Sequence, residues 1–236
     1  MSLPEIHLAT DGDLNYALFK HNDIVSNHVR GGGYEQELQA ETAKLLAGVT
    51  SGIVLAIGAN LGSYTVPVAK AHSHLKVLSF EPQRVIYLQL CANVFLNRLD
   101  NVYAYQYALS DAEWQENLET PDYATEHNIG AFSVDPAVRE KDYEVQTHGA
   151  VEPISATLLD KFMLNDIRLI KIDVEGHELE VLRGAHHTLI ENNYPPIIFE
   201  SWTWKFQEKR TELFNYLKDL GYEITELGQN NIAVKK

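Results

Sequence analysis

Apolar residues fall in two alternating patterns along this chain. Short, nearly unbroken apolar runs occupy Ile53–Ile57, Lys76–Phe80, Arg168–Ile172 and Pro196–Phe199, while Asn101–Tyr107 alternates apolar with polar. Such runs mark strands buried on both faces, and alternation marks a strand with one covered face. Between them the spacing becomes helical. Ser63–Ala71 reads as a helix with Pro67 near its first turn, where a missing amide costs least. A second helix starts at Pro82 and carries Val85, Leu88, Cys91, Ala92, Phe95 and Leu99 as its core stripe. A third carries Leu179, Leu182, Ala185 and Leu189. A fourth, from about Lys205, carries Phe206, Leu213, Leu217 and Leu220 and is capped by Gly221. The chain closes with Tyr222–Leu227, a turn over Gly228–Asn231 and Ile232–Val234, which reads as an antiparallel hairpin. Five strands alternating with helices and then a hairpin predict an α/β fold with a seven-stranded, mostly parallel sheet.

Two stretches stand outside that alternation. Residues 1–33 read as an N-terminal extension and candidate lid, with short strands at Ile6–Thr10 and Tyr16–Phe19, a turn at Asp11-Gly12-Asp13 and a joint at Gly31-Gly32-Gly33. The main domain, 34–236, then opens with a helix over Tyr34–Leu46, whose first residues, Tyr34-Glu35-Gln36-Glu37, are placed to close over a ligand. Residues from about Ala112 to Pro153 are polar, turn-rich and too long for a simple connection, so they read as a substrate-side insertion. His127-Asn128 there offer polar contacts, and Trp114, Tyr123 and Phe132 offer faces on which a sugar could stack. Thr157–Met163 reads as a short helix.

The first apolar run breaks at Gly58-Ala59-Asn60-Leu61-Gly62 before Ser63 begins the helix. Glycines permit a sharp turn and close approach of a ligand to the backbone, and the helix presents its free amides there. The next strand ends in Glu81-Pro82, and Glu81 lies 19 residues after Gly62. At that distance an open parallel sheet sets an acid beside a bound ribose, whose neighbouring hydroxyls one carboxylate can accept. A dinucleotide turn needs glycine where Asn60 and Ser63 stand. A ligand without phosphates fits better, so S-adenosylmethionine outranks NAD, with Gly58, Ala59, Asn60, Gly62, Ser63 and Glu81 as its candidate contacts.

Composition narrows the class. Hydrophobic residues make up 45% and charged residues 22%, the balance of a soluble globular chain. A net charge of -14 argues against nucleic-acid or anionic-membrane partners, which reward a basic face. The single cysteine, Cys91, sits in an apolar pattern and reads as a buried thiol, in keeping with a reducing compartment. With no leader and no run of spanning length, the expected location is cytoplasmic, without membrane insertion.

Taken together, Ile57-Gly-Ala-Asn-Leu-Gly62, Phe80-Glu-Pro82, Ala108-Leu-Ser-Asp111, Leu159-Asp160, Ile170-Lys-Ile-Asp-Val-Glu-Gly176 with Glu178, and Pro196-Ile-Ile-Phe-Glu200 resemble the FkbM-type methyltransferases, over roughly residues 34–200. The resemblance implies a class I, Rossmann-like S-adenosylmethionine fold and O-methylation of a hydroxyl, typically on a sugar or a polyketide-like metabolite. It also adds Pro82, Ala108, Leu109 and Asp173 to the cofactor site. One position departs from the family pattern: Ala56 stands where an acid usually precedes the glycine turn.

Methyl transfer to a hydroxyl needs alignment and removal of one proton. Ligands of an open α/β sheet gather beyond the carboxyl ends of its strands. Asp173 and Glu200 end neighbouring strands there, which makes Asp173 the first candidate to touch both cofactor and acceptor. His177 is a candidate general base. Asp173 and Glu200 together are also a candidate site for Mg²⁺ or another hard cation, which would acidify the acceptor oxygen. Three other readings remain: N-methylation, disfavoured because Asp173-Val-Glu-Gly replaces an Asn/Asp-Pro-Pro motif; an NAD-linked oxidoreductase; and a cofactor-binding protein without activity. The acceptor, a small molecule or glycan, and the oligomeric state are not readable from the sequence.

Overall fold

The computed structural model describes residues 3–20, 24–31, 36–123, 129–140, 147–201 and 206–236. The glycine joint at Gly32-Gly33, the Tyr34-Glu35 start of the second helix, His127-Asn128 and the helix start near Lys205 lie outside the described residues. The chain opens with the hairpin β1 (Ile6–Asp11) and β2 (Leu14–Phe19) and the helices α1 (Ile24–Arg30) and α2 (Gln36–Leu45). Then come β3 (Ile53–Ile57), α3 (Thr65–Ala71), β4 (Lys76–Phe80), α4 (Arg84–Leu96) and β5 (Val102–Tyr105). Next come β6 (Ala108–Leu109) and, in the insertion, β7 (Trp114–Pro121), α5 (Pro136–Arg139) and β8, which runs on past it (Thr147–Thr157). The remainder is β9 (Ile167–Ile172), α6 (Glu178–Arg183), α7 (His186–Glu191), β10 (Ile197–Glu200), α8 (Gln207–Asp219), β11 (Tyr222–Leu227) and β12 (Asn230–Lys235).

The central sheet has seven strands in the order β5-β4-β3-β9-β10-β12-β11. Its first five strands are parallel, and β12 pairs antiparallel with both β10 and β11. Period-two alternation sends Val54, Ala56, Val77, Leu169 and Ile198 to one face, against Leu38, Val66, Ala69 and Leu90. Leu55, Ile57, Leu78, Phe80, Ile170, Ile172 and Phe199 face the other way, against Leu179, Leu182, Leu189, Leu213 and Leu217. The chain order reverses between β3 and β9. In an open α/β sheet that reversal leaves a crevice beyond the strand ends.

Where the elements differ from the sequence pattern, a contact explains it. The helix expected through Leu179–Leu189 is two helices, broken at Gly184–Ala185. A side chain at Gly184 would collide with the Ser110 carbonyl, so the close crossing requires glycine there. The Asp160 carboxylate accepts the α7 amides of Thr188 (2.7 Å) and His187 (3.1 Å) and restarts the helix. Thr157 belongs to β8, and the short helix is a single 3₁₀ turn over Leu159–Phe162, ended by left-handed Met163. The closing turn is only Gly228-Gln229, because Asn230 and Asn231 already pair across β11 and β10. The insertion forms its own sheet, β6-β8-β7.

The core stripe of α4 is also rotated from its expected position. Leu88 and Phe95 are exposed and Cys91 is half-buried, while Val85, Ile86, Gln89, Leu90 and Asn93 are buried. The reason is polar. Asn97 Oδ1 and Asn93 Oδ1 accept the Asn15 and Ala17 amides (2.8 and 2.6 Å), and Asn97 Nδ2 and Gln89 Nε2 donate to the Asn15 and Ala17 carbonyls (2.7 and 2.8 Å). Amides four residues apart on α4 thus satisfy the open edge of β2 as a neighbouring strand would. The N-terminal hairpin is seated on α4, and α1 sends Val25 and Val29 into the same core as α3.

Candidate active site

A cavity of about 340 Å³ opens at the carboxyl ends of β3, β4, β9 and β10, within the size range of small-molecule sites. Gly58, Ala59, Asn60, Ser63, Glu81, Pro82, Ala108, Leu109, Asp173, His177 and Glu200 all line it. Gly62 does not: its α-carbon faces Leu90 and Val66. Glu175, which follows Asp173 into the crevice, lines it too, and sequence reasoning missed Lys171, Tyr64, Gln83, Gln229 and Val25, which line the cavity as well. Lys171 had a legible signal, a charged residue between the apolar Ile170 and Ile172 of a buried run.

The glycine turn is shaped by protein as much as by ligand. Gly58 has φ +75°, and a Cβ there would strike the Asp173 backbone carbonyl, so glycine allows the ends of β3 and β9 to meet. The amides of Gly58 and Ala59 both donate to the Phe80 carbonyl (3.0 and 2.9 Å). Asn60 takes a left-handed conformation that asparagine tolerates, and its own Oδ1 accepts the Leu61 amide at 2.7 Å. From α4, Asn93 Nδ2 donates to the Leu61 carbonyl at 2.7 Å and so ties the turn to the residue that also holds β2.

Glu81 is buried, and its two oxygens accept the amides of Asn60 (3.0 Å) and Gln83 (2.9 Å). Burial pushes its pKa up to about 7, and the two amides only partly offset that. A carboxylate has about four acceptor sites. Two are spent on the backbone, so one on each oxygen is left for a pair of hydroxyls.

Three charged side chains meet at the ends of β9 and β10. Lys171, 4% exposed, donates to Asp173 Oδ2 at 2.7 Å. Burial would raise the pKa of Asp173, but the Lys171 ammonium and a hydrogen bond from Glu200 hold it below the ordinary carboxyl range. Glu200 moves the other way, to about 11, through burial and the charges of Asp173 and Glu175. These directions make Asp173 the member of the pair that favours ionisation and Glu200 the one that favours the proton. Oxygens of Asp173, Glu175 and Glu200 lie within 4.8 Å of one another. Glu178, also raised to about 7 by burial, accepts the amides of Val174 (3.2 Å) and Gly176 (3.1 Å) and braces the turn after β9.

His177 is buried in the cavity wall. Its Nε2 meets Ser110 Oγ at 3.0 Å, and its Nδ1 has no hydrogen-bond partner among the described residues. Of the three aromatic residues expected to face a substrate, Phe132 lines the cavity. Trp114 packs instead beside Leu118 and Ile154, and Tyr123 is buried with its hydroxyl on Gln83 Oε1 at 3.2 Å.

The sheet order, the crevice at its reversal and the buried acid after β4 define a class I S-adenosylmethionine-dependent methyltransferase. Solved structures share this fold: precorrin-6y C5,15-methyltransferase from Geobacter metallireducens has a TM-score of 0.51 at 15% identity, covering 86% of this chain and 90% of that one. Magnesium protoporphyrin IX methyltransferase from Synechocystis PCC 6803, solved with bound S-adenosylmethionine, also has a TM-score of 0.51 at 15% identity, covering 92% and 86%. The chain belongs to the FkbM methyltransferase family, whose domain matches residues 56–224. It is 31% identical over 195 residues to methyltransferase sdnD of Sordaria araneosa, covering 71% of this chain and 72% of that protein. It is 28% identical over 151 residues to methyltransferase 1 of Beauveria bassiana, covering 57% and 60%. Among the described residues no helix is long and apolar enough to cross a membrane.

The cavity suits the donor. S-adenosylmethionine carries a sulfonium and an ammonium against one carboxylate, and among the described residues Glu81, Asp173 and Glu175 line the cavity with one lysine, Lys171.

Proposed function

We propose that this methyltransferase acts on a hydroxyl of a sugar, a glycan or a related small metabolite. The observation that carries the proposal is a carboxylate, Asp173, held by the buried Lys171 in the cavity wall beside Glu200, with Phe132 and Val134 in the same lining. The bound donor supplies an electrophilic methyl group on sulfur. The protein's tasks are to hold the acceptor oxygen in line, to exclude water and to receive one proton. Asp173 is the proposed proton acceptor, since it is the member of the pair that favours ionisation. Lys171 and Glu200 fix its orientation through donated hydrogen bonds. His177, with Nε2 on Ser110 and Nδ1 buried, shapes the wall and is the second candidate base. The apolar Phe132, Val134 and Val25 support an acceptor with one apolar face, a sugar ring or a polyketide-like alcohol. The net charge of -14 supports an uncharged acceptor over nucleic acid. Helix α1 of the N-terminal extension is proposed as the part that closes the cavity, because its Val25 reaches the lining.

Mass-shift screening of p-nitrophenyl glycosides, free sugars and polyketide alcohols tests the proposal, with S-adenosylhomocysteine formation followed in parallel. A divalent cation on Asp173, Glu175 and Glu200 is the second reading, favoured by the grouping of their oxygens. Against it, the Lys171 ammonium already holds the Asp173 oxygen that such an ion would need, at 2.7 Å. Two outcomes separate these readings. If the proton is what matters, Glu200→Gln keeps a donor toward Asp173, retains activity within about fivefold and is indifferent to chelator. If a cation is held there, chelator and Glu200→Gln both abolish turnover.

Donor binding should depend on pH through Glu81. Its folded pKa of about 7 lies above the unfolded value, so the native state holds the extra proton and the free protein loses stability as pH rises from about 4.5 to 7. Hydroxyl donors favour the ionised form, so affinity should run the opposite way. Calorimetry should show S-adenosylmethionine binding about tenfold tighter at pH 8 than at pH 6, with a proton released near pH 6.5. Glu81→Gln should bind weakly at both values.

A further inference from the structure

A second cluster of buried charge lies where the insertion meets α8. Asp135 Oδ1 caps α5 by accepting the Ala137 (2.8 Å) and Val138 (3.3 Å) amides, and Oδ2 accepts a charged hydrogen bond from Lys209. The Lys209 ammonium also donates to the Gly176 carbonyl at 3.2 Å and stands 3.9 Å from Glu180 Oε1. One cation thus joins three elements: the segment leading into α5, the turn after β9, and α8. The same segment is tied internally. Asp135 donates its amide to Ser133 Oγ at 3.1 Å, and Arg139 donates to the carbonyls of Ser133 and Val134 at 3.1 and 2.7 Å. Its residues Gly130, Phe132 and Val134 line the same cavity as Asp173, Val174 and Glu175 of the turn after β9.

His177 stands between Asp135 Oδ2 (3.8 Å) and Glu180 Oε2 (3.7 Å), too far from either for a hydrogen bond. Those three groups are a conceivable cation site. The Lys209 ammonium, however, already occupies the Asp135 oxygen that would bind such an ion.

We propose that Lys209 is a positioning residue for the acceptor, clamping the Gly130–Val134 wall against the Asp173–Gly176 turn and so setting the width of the acceptor end of the cavity. The inference rests on the proposed function only in placing the acceptor between those two walls. The clamp should hold throughout the neutral range. Burial would raise the pKa of Asp135, but the Lys209 ammonium and the Ala137 amide keep it below the ordinary carboxyl range. Its contribution is therefore present above the unfolded carboxyl pKa and is lost only as pH falls below it.

The test uses the full chain with Lys209→Met, Lys209→Arg and Asp135→Asn. Hydrogen exchange read by mass spectrometry should show amides of residues 129–140 exchanging about tenfold faster in Lys209→Met, with Lys209→Arg restoring most of the protection. S-adenosylmethionine affinity should stay within about twofold, since Gly58–Asn60 and Glu81 are held by Phe80 and Gln83 and Asp173 is held by Lys171, independently of Lys209. With p-nitrophenyl β-D-glucopyranoside, or a better acceptor from the screen, KM should rise about tenfold in Lys209→Met with kcat within about threefold. Unchanged exchange in that segment would overturn the clamp, as would an equal loss of donor affinity. So would Lys209→Met activity that requires added Zn²⁺ or Mn²⁺, because the cluster would then be a cation site that Lys209 merely fills. If the unaltered enzyme methylates no hydroxyl probe, the O-methylation reading fails by itself, and exchange still decides the clamp.

Discussion

Asp173→Asn is expected to lower turnover about a thousandfold while leaving the protein folded. The amide keeps the shape and can still face Lys171, but it cannot take the proton that leaves the acceptor hydroxyl, a role worth 10²–10⁴ in rate by general experience. The fold should survive because the pair has a reserve. Burial and the Asp173 and Glu175 charges favour the protonated form of Glu200. With the Asp173 charge gone, Glu200 becomes easier to ionise and supplies a counter-charge for Lys171. Removing one partner of a buried ion pair otherwise costs about 3–5 kcal/mol. The double variant Asp173→Asn/Glu200→Gln removes that reserve and should melt well below either single variant. Thermal unfolding and single-turnover kinetics check the two halves separately. Near-normal single-turnover rates in Asp173→Asn would remove the carboxylate from the chemistry.

The second large effect should come from Gly58→Ala. The added methyl collides with the Asp173 carbonyl at a φ of +75°, so strain and overpacking act together. Left-handed strain costs about 1–3 kcal/mol and overpacking a similar amount. For a chain of this size, roughly 3 kcal/mol lowers Tm by about 6–12 °C. Donor affinity should fall further than stability alone explains, because the same displacement moves Ala59 and Asn60, whose amides hang on Phe80 and Glu81. Scanning calorimetry with and without S-adenosylmethionine measures both. A variant as stable and as tightly bound as the parent would contradict the close-approach account.

The strands that carry the site were legible because burial on both faces leaves an unbroken apolar run, as at Ile53–Ile57 and Ile197–Phe199. Their ends were legible too, since a polar residue that follows such a run, as Glu81, Asp173 and Glu200 do, must sit at the crevice. The meaning of Gly58 was only half visible. Its freedom was expected to serve a ligand, whereas its tightest neighbour is a backbone carbonyl 115 residues further along, a contact that no local pattern encodes. The α4 stripe was misread for a related reason. Gln89, Asn93 and Asn97 look like a solvated face until β2 arrives to use their amides. The insertion was opaque because β7 and β8 are polar strands whose pairing, not their periodicity, defines them. Lys209 was invisible for the same reason: its partners, Asp135 and Gly176, come from distant segments.

The most direct test is one turnover with trideuteromethyl-labelled S-adenosylmethionine over the acceptor panel, with the labelled atom located by NMR. The account predicts label on an ether oxygen in the parent enzyme and almost none with Asp173→Asn. Label on nitrogen or carbon, or equal labelling by the Asp173 variant, would contradict it.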